Sequence, residues 1–261
     1  MPGSTLVPLV RHLHPVGLNP LELAERGGRT VGELDDPVVV ALPLRGEWTV
    51  ERSPADRIPS HGTDLFGQRY AYDLVRTDRR PGTRVHPAGA LRWVLVGGRT
   101  RDSYGWGQPV HAALDGVVVQ AVDGVAERQW LHLGREAWWA VKTTAEVARR
   151  GLDPVRLAGN HVITATGETY ALYAHLAPGS VAVTRGQRVR AGEVLGRVGH
   201  SGNSTAPHLH FQLMDSADPL QAKGVPCAFA AYLVERDGRW HRVERGIPHR
   251  GERLRVDGDT S

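Results

Sequence analysis

The chain has 261 residues, 41% of them hydrophobic, with 31 Gly, 17 Pro and a single Cys, which gives room for one large or two small domains around a real core in a turn-rich globule that is more β than α. Its 32 basic residues are offset by 28 acidic ones, for a formal charge of +4, and with no basic stripe interleaved with aromatics they argue against a nucleic-acid surface. No apolar run is long enough to cross a bilayer as a helix, and the lone Cys227 excludes both an internal disulfide framework and a cysteine-based zinc site, so any metal must be held by His and carboxylates.

Residues 1–36 alternate Pro, Gly and charge around one short helical candidate, "PLELAERGG", closed by glycines, and are expected to form an N-terminal extension. Arg11, His12, His14 and several prolines stand where a signal peptide needs an unbroken apolar stretch, so the chain as written is expected to be cytoplasmic. From residue 37 the text becomes short apolar or alternating runs separated by Gly, Asp and Asn turns. "DPVVVALPLRGEWTVERS", "YAYDLV", "LRWVLV" and "DGVVVQAVDG" read as strands of a sandwich or barrel-like β fold. In the second of these, Asp73 lies among apolar neighbours, where an unpaired carboxylate is costly; either a metal or a cation such as Arg76 should face it.

Residues 125–157 break the rhythm. Trp138, Trp139, Val141, Ala145 and Val147 give a partial helical face, so this segment reads as an insertion carrying one helix. The strand pattern resumes with "NHVITATGETYALYAHL", where Tyr173 and His175 are two apart, and continues through "GSVAVTRGQRVRAGEVLGRVGHSG". It ends in "SGNSTAPHLHFQL". In an extended segment alternate side chains share a face, so His208 and His210 point one way and Leu209 and Phe211 the other. The β domain is expected to span 37–235. Residues 236–261, with His241 and His249 lacking metal spacing, read as a polar, solvated terminal hairpin.

Taken in order, "LYAHLAPGSVAVTRGQRVRAGEVLGRVGHSGNSTAPHLHF" resembles the lysostaphin/LytM-like zinc endopeptidases, enzymes that cut peptide cross-links of bacterial cell walls. The likeness is specific over residues 160–213 and extends loosely back to about residue 61. It implies a mainly β duplicated hybrid motif, one zinc ion, a peptide or peptidoglycan substrate, His210 as a metal ligand, and His175 and His208 as a catalytic pair beside it. The mild positive charge suits such an anionic polymer. Asp73 matches the carboxylate of the family's His-x-x-x-Asp motif. The histidine of that motif is missing: Arg69 stands there, and a guanidinium has no lone pair to offer. His61, in "IPSHGTDLFGQRYAYD", is the nearest replacement, returned to the site by a loop through Gly62 and Gly67. Asp64, His86 and His111 are weaker candidates. Asn160 and Tyr173 are possible supporting or substrate residues, with a turn and the core as their plain alternatives.

The reaction so implied is amide hydrolysis by zinc-activated water. Two other readings stay open. The altered first-ligand motif and the missing signal peptide fit a non-catalytic binding or regulatory module on the same fold, and paired histidines on a related β fold also occur in phosphocarriers.

Overall fold

A computed structural model describes residues 36–78, 84–132 and 154–256, together with 134–136, 138–139 and 142. The expected N-terminal extension through residue 35, its "PLELAERGG" helix, and Val141, Ala145 and Val147 lie outside the described residues. No described helix is long and apolar enough to cross a membrane.

The molecule is mainly β. In chain order the strands are β1 (Val38–Val40), β2 (Gly46–Arg52), β3 (Tyr72–Val75), β4 (Gly98–Arg99), β5 (Pro109–His111), β6 (Gly116–Val122), β7 (Trp130–Leu131) and β8 (Asn160–Thr166). They continue as β9 (Thr169–Leu176), β10 (Arg188–Val189), β11 (Val194–Arg197), β12 (His208–Met214), β13 (Gly224–Val225), β14 (Cys227–Arg236), β15 (Arg239–Gly246) and β16 (Arg253–Val256). A large sheet runs in the order β1-β14-β16-β2-β3-β12-β9-β8-β6-β10, with β13 added beside β12 and β15 beside β14; β5 pairs with β11 and β4 with β7 in small separate sheets.

Alternation decides what each face carries. On β12, Leu209, Phe211 and Leu213 enter the main core with Trp48, Tyr72 and Phe229, and the β5–β11 pair closes over them through Val110 and Leu195. The opposite face holds a smaller cluster of Ile163, Leu172, Ala174 and Met214. Because both faces are covered, every residue of β12 is buried, polar ones included. Register then sets the row that matters: His210 lies opposite Asp73 on β3 and opposite Ala174 on β9, while Phe211 lies opposite Tyr72 and Tyr173.

Three expectations are corrected. "LRWVLV" is not a strand: Ala90–Leu95 is a short helix, with Trp93 N bonded to Gly89 O and Val96 N to Arg92 O. Leu91 and Leu95 stay exposed, and Trp93 stacks on His86, so the apolar content reflects local contacts rather than sheet burial. The segment 125–157 carries a strand besides helix: β7 pairs with β4, and among the described residues 134–136, 138–139 and 142 and Pro154–Ala158 are helical. The boundary at 235 falls inside β14. Beyond it, β15 is a largely solvated hairpin arm, but β16 inserts between β14 and β2 and buries Leu254 fully.

Candidate metal centre

Two strands and a loop bring the polar residues to one place. Asp73 and His210 face each other across β3 and β12. His61 reaches them from the preceding loop, which folds back because Ser60 N bonds Arg69 O at 3.0 Å and Phe66 and Gly67 both take positive φ, at 60° and 70°. At residue 67 a side chain would strike Met214 and Gln212, so glycine is what lets the loop lie against β12. Donor atoms of His61, Asp73 and His210 all fall within 4.8 Å of one another. Arg69 points elsewhere, to an exposed ion pair with Asp64 at 2.8 Å.

The outer partners of the two imidazoles fix their tautomers. Gln212 Nε2 donates to Phe66 O at 2.6 Å, which turns Gln212 Oε1 toward His210 Nε2 at 2.8 Å. His210 therefore carries its proton on Nε2, and Nδ1 presents a lone pair to Asp73 Oδ1 at 2.9 Å. Ser60 Oγ donates to Gln68 O at 3.1 Å and accepts from His61 Nδ1 at 3.0 Å. His61 Nε2 is left facing Asp73 Oδ2 at 2.9 Å, again lone pair toward carboxylate. Two such contacts repel unless a proton or a metal cation lies among them. Two imidazoles and one carboxylate, each imidazole held by an acceptor behind it, are the donor set of an open zinc site, and the residues present fit that ion.

Beside this group stand His175 and His208, ring centroids 4.7 Å apart. His208 Nδ1 donates to Ala206 O at 2.7 Å and His175 Nδ1 to Ser201 O at 3.0 Å. His175 thus keeps Nε2 free, whereas His208 Nε2 is paired with Asp73 Oδ1 at 3.5 Å. His175 reaches this face by strain. Tyr173 packs on Phe211 on the core side, so simple alternation would send His175 there too; a φ of 63° at His175 turns it over to the site.

Electrostatics follow from burial and proximity. Burial alone would push the Asp73 carboxyl up, but when the imidazoles are protonated, the charges of His208 and His61 and the hydrogen bonds from His208 and His210 hold it well below the usual carboxylate range. Burial, followed by the like charges of His208 and His210, depresses His175 strongly. Burial depresses His61 more than Asp73 raises it. For His208 burial is outweighed by the charge of Asp73, which lifts it to about 9.

The remaining candidates lie apart. Asn160 is fully buried and ties Val125 to Leu176 O through its side-chain amide; it braces a loop and does not face the cleft. Tyr173 is corrected to a core residue, its hydroxyl accepting from Ala113 N at 2.7 Å. His86 bonds Arg99 O and Ala88 N, and His111 bonds Gly192 O. Sequence reasoning passed over Gln212, although it shares the face of His208 and His210 by the same two-residue step, and Arg52, whose Nε lies 3.4 Å from Asp73 Oδ2. The signal for Arg52 was hidden by a bulge in β2, which sets Arg52 rather than Glu51 opposite Asp73.

Residues 140–222 match the sequence model of Peptidase family M23. Over 136 residues the chain is 33% identical to the DD-carboxypeptidase/endopeptidase Mpg of Neisseria meningitidis, which covers 42% of this chain and 31% of that protein. It is 39% identical over 81 residues to the peptidoglycan DD-endopeptidase ShyA of Vibrio cholerae, covering 31% of this chain and 18% of the relative. The chain thus spans about a third or less of the length of these relatives. Among solved structures, the catalytic domain of the peptidase lysostaphin from Staphylococcus simulans aligns with 67% of this chain and 84% of its own, at 19% identity and a TM-score of 0.33.

Proposed function

Because residues 140–222 match the model of Peptidase family M23, we propose that the chain is a zinc-dependent peptidase that hydrolyses amide bonds in the peptide cross-links of peptidoglycan. The observation that carries the reading is the convergence of His61, Asp73 and His210, with both imidazoles turned so that a lone pair faces the carboxylate. The name of ShyA, a peptidoglycan DD-endopeptidase, supplies the substrate class.

His61 Nε2, one or both Asp73 oxygens and His210 Nδ1 would hold the ion. Bound there, zinc acts as a Lewis acid that lowers the pKa of water to about 7 and polarises a peptide carbonyl. The protein's own part is proton handling. With Nδ1–H committed to Ser201 O and Ala206 O, His175 and His208 each offer a single Nε2 to the cleft. One takes a proton from the attacking water and returns it to the leaving amine as the C–N bond breaks. The other, when protonated, donates to the developing oxyanion. Neither has to rotate, because the backbone carbonyl behind it already fixes the ring.

A specific feature favours the second reading, a non-catalytic module: the Arg52 guanidinium competes for Asp73, the same carboxylate a metal needs. Elemental analysis of the purified chain, combined with incubation on cross-linked sacculi, separates the two. The peptidase reading expects about one zinc per chain and release of new amino termini that stops with a chelator and returns with zinc. Protein that takes up no zinc on incubation with the ion, or that holds zinc yet releases no amino termini from sacculi, makes the binding module the better account.

A further inference from the structure

The loop between β11 and β12 does two jobs with backbone atoms: Ser201 O holds His175 and Ala206 O holds His208. Among the described residues it has no strand partner beyond isolated bridges at Val198 and Ser201. Its chain also passes close to residue 159: Gly159 and Gly202 both have positive φ, at 66° and 69°, and any side chain on either would strike the other's backbone. A loop rich in Gly, Ser and Asn does not keep such a shape without help.

That help comes from 127–136. Glu127 is bridged to Ser201 and its carboxylate accepts from His200 N at 3.0 Å and from Trp106 Nε1 at 3.0 Å. The next residue, Arg128, donates Nη1 to Gly202 O at 3.1 Å and Nη2 to Ser204 O. Its Nε and Nη2 are paired with Glu136 at 3.0 and 2.8 Å, and its guanidinium lies 5.0 Å from the Trp139 ring. Arginine only donates, so His200 Nε2, 3.0 Å from Nη2, must accept. His200 then donates Nδ1–H to Ser204 Oγ at 3.0 Å, and Ser204 Oγ donates onward to Ala206 O at 2.6 Å, the carbonyl that holds His208. Arg128 Nη2 carries two protons for three acceptors, Glu136 Oε2, His200 Nε2 and Ser204 O, which share them, while Nε–H goes to Glu136 alone. Glu127, Arg128 and Glu136 all lie outside the residues 140–222 that match the family model.

We propose that Arg128, set by Glu136 and seconded by Glu127, is a positioning residue that locks the 200–206 loop and through it the orientation and tautomer of His175 and His208. The inference rests on the proposed reaction for its kinetic consequence and on geometry alone for its structural one. A planar fork is required: Arg128 meets a carboxylate, an imidazole and two carbonyls lying in different directions, and the point charge of a lysine serves one or two of them at most.

The test uses the full chain with Arg128→Lys, and Glu136→Gln as the milder variant should the first fold poorly. In zinc-free protein, proton–nitrogen NMR should show slowly exchanging Nδ1–H signals for His175 and His208 in the parent, shifted or lost in the variants. In zinc-loaded protein, zinc content and KM should stay near parent values while kcat on cross-linked muropeptides falls by about 10²-fold for Arg128→Lys, the scale of a small misplacement of reacting groups, and less for Glu136→Gln. In a His175→Ala, His208→Ala background the further loss from Arg128→Lys should vanish. Unchanged Nδ1–H signals, or a kcat within threefold of the parent, overturn the proposal. A parent that hydrolyses nothing overturns the peptidase reading, and the NMR arm still decides the clamp.

Discussion

At the scale of single residues, the site is defined by which nitrogen of each imidazole carries a proton, and those assignments come from groups outside the metal cluster. Gln212 is the clearest case. Its amide is pinned by Phe66 O and holds His210 Nε2–H, so Gln212→Leu should lower zinc affinity by roughly 10–100-fold without removing a ligand. His61→Ala, Asp73→Ala and His210→Ala should each abolish stable zinc binding, and to similar degrees, because a set reduced to two donors binds too weakly to stay occupied. Arg69→Ala should leave affinity within a few-fold, since that guanidinium is engaged with Asp64 at the surface. Titration against a competing chelator ranks all five variants; a Gln212→Leu protein with parental affinity would show that His210 needs no support. The sequence made His208, His210 and Asp73 legible because alternation and an isolated carboxylate in an apolar run are local signals. The twelve-residue return of His61 was legible only as the nearest remaining donor, because a loop's path depends on contacts such as Ser60 to Arg69 that no local pattern encodes.

At the scale of elements, periodicity was reliable where a strand is regular and failed where it is bent. β12 alternates cleanly, and its two faces were read correctly. β9 does not: the positive φ at His175 ends the alternation after Tyr173, so two residues spaced as a same-face pair go to opposite sides. The bulge in β2 hid Arg52 in the same way. "LRWVLV" misled because β-branched and aromatic content cannot tell a strand from a short helix that leaves residues such as Leu91 and Leu95 in solvent. The placement of Tyr173 is open to direct test. Its hydroxyl is buried and satisfies Ala113 N–H, so Tyr173→Phe leaves a buried donor unpaired and should cost about 1–3 kcal/mol of stability, read as a lower denaturant midpoint. Catalytic turnover and zinc content should not change. A fall in kcat of tenfold or more at unchanged stability would return Tyr173 to the site.

At the scale of the molecule, the candidate metal centre sits on strands whose own support comes from the far end of the chain. Asp73 is on β3; β3 pairs with β2, β2 with β16, and β16 with β14. The C-terminal residues are therefore not a tail. They supply the strand that joins the two halves of the sheet, and Leu254 and Ile247 seal the core near Trp48 and Phe229. Polar composition concealed this, because the arm formed by β15 is solvated and only one strand beyond it is buried in part. Removing residues 237–261 should leave β2 and β14 with unpaired edges and open the core, which exposes hydrogen-bonding rows that favour aggregation. The truncated chain is expected to lose its cooperative thermal transition and to retain no zinc. Leu254→Ala, a smaller lesion at the same place, should cost about 2–5 kcal/mol, whereas His241→Ala on the exposed arm should cost less than about 0.5 kcal/mol. Circular dichroism melts with zinc analysis on the same samples decide the matter. If the truncated protein melts within a few degrees of the parent with its zinc in place, β16 is an ornament on the sheet and β2 and β12 support Asp73 without it.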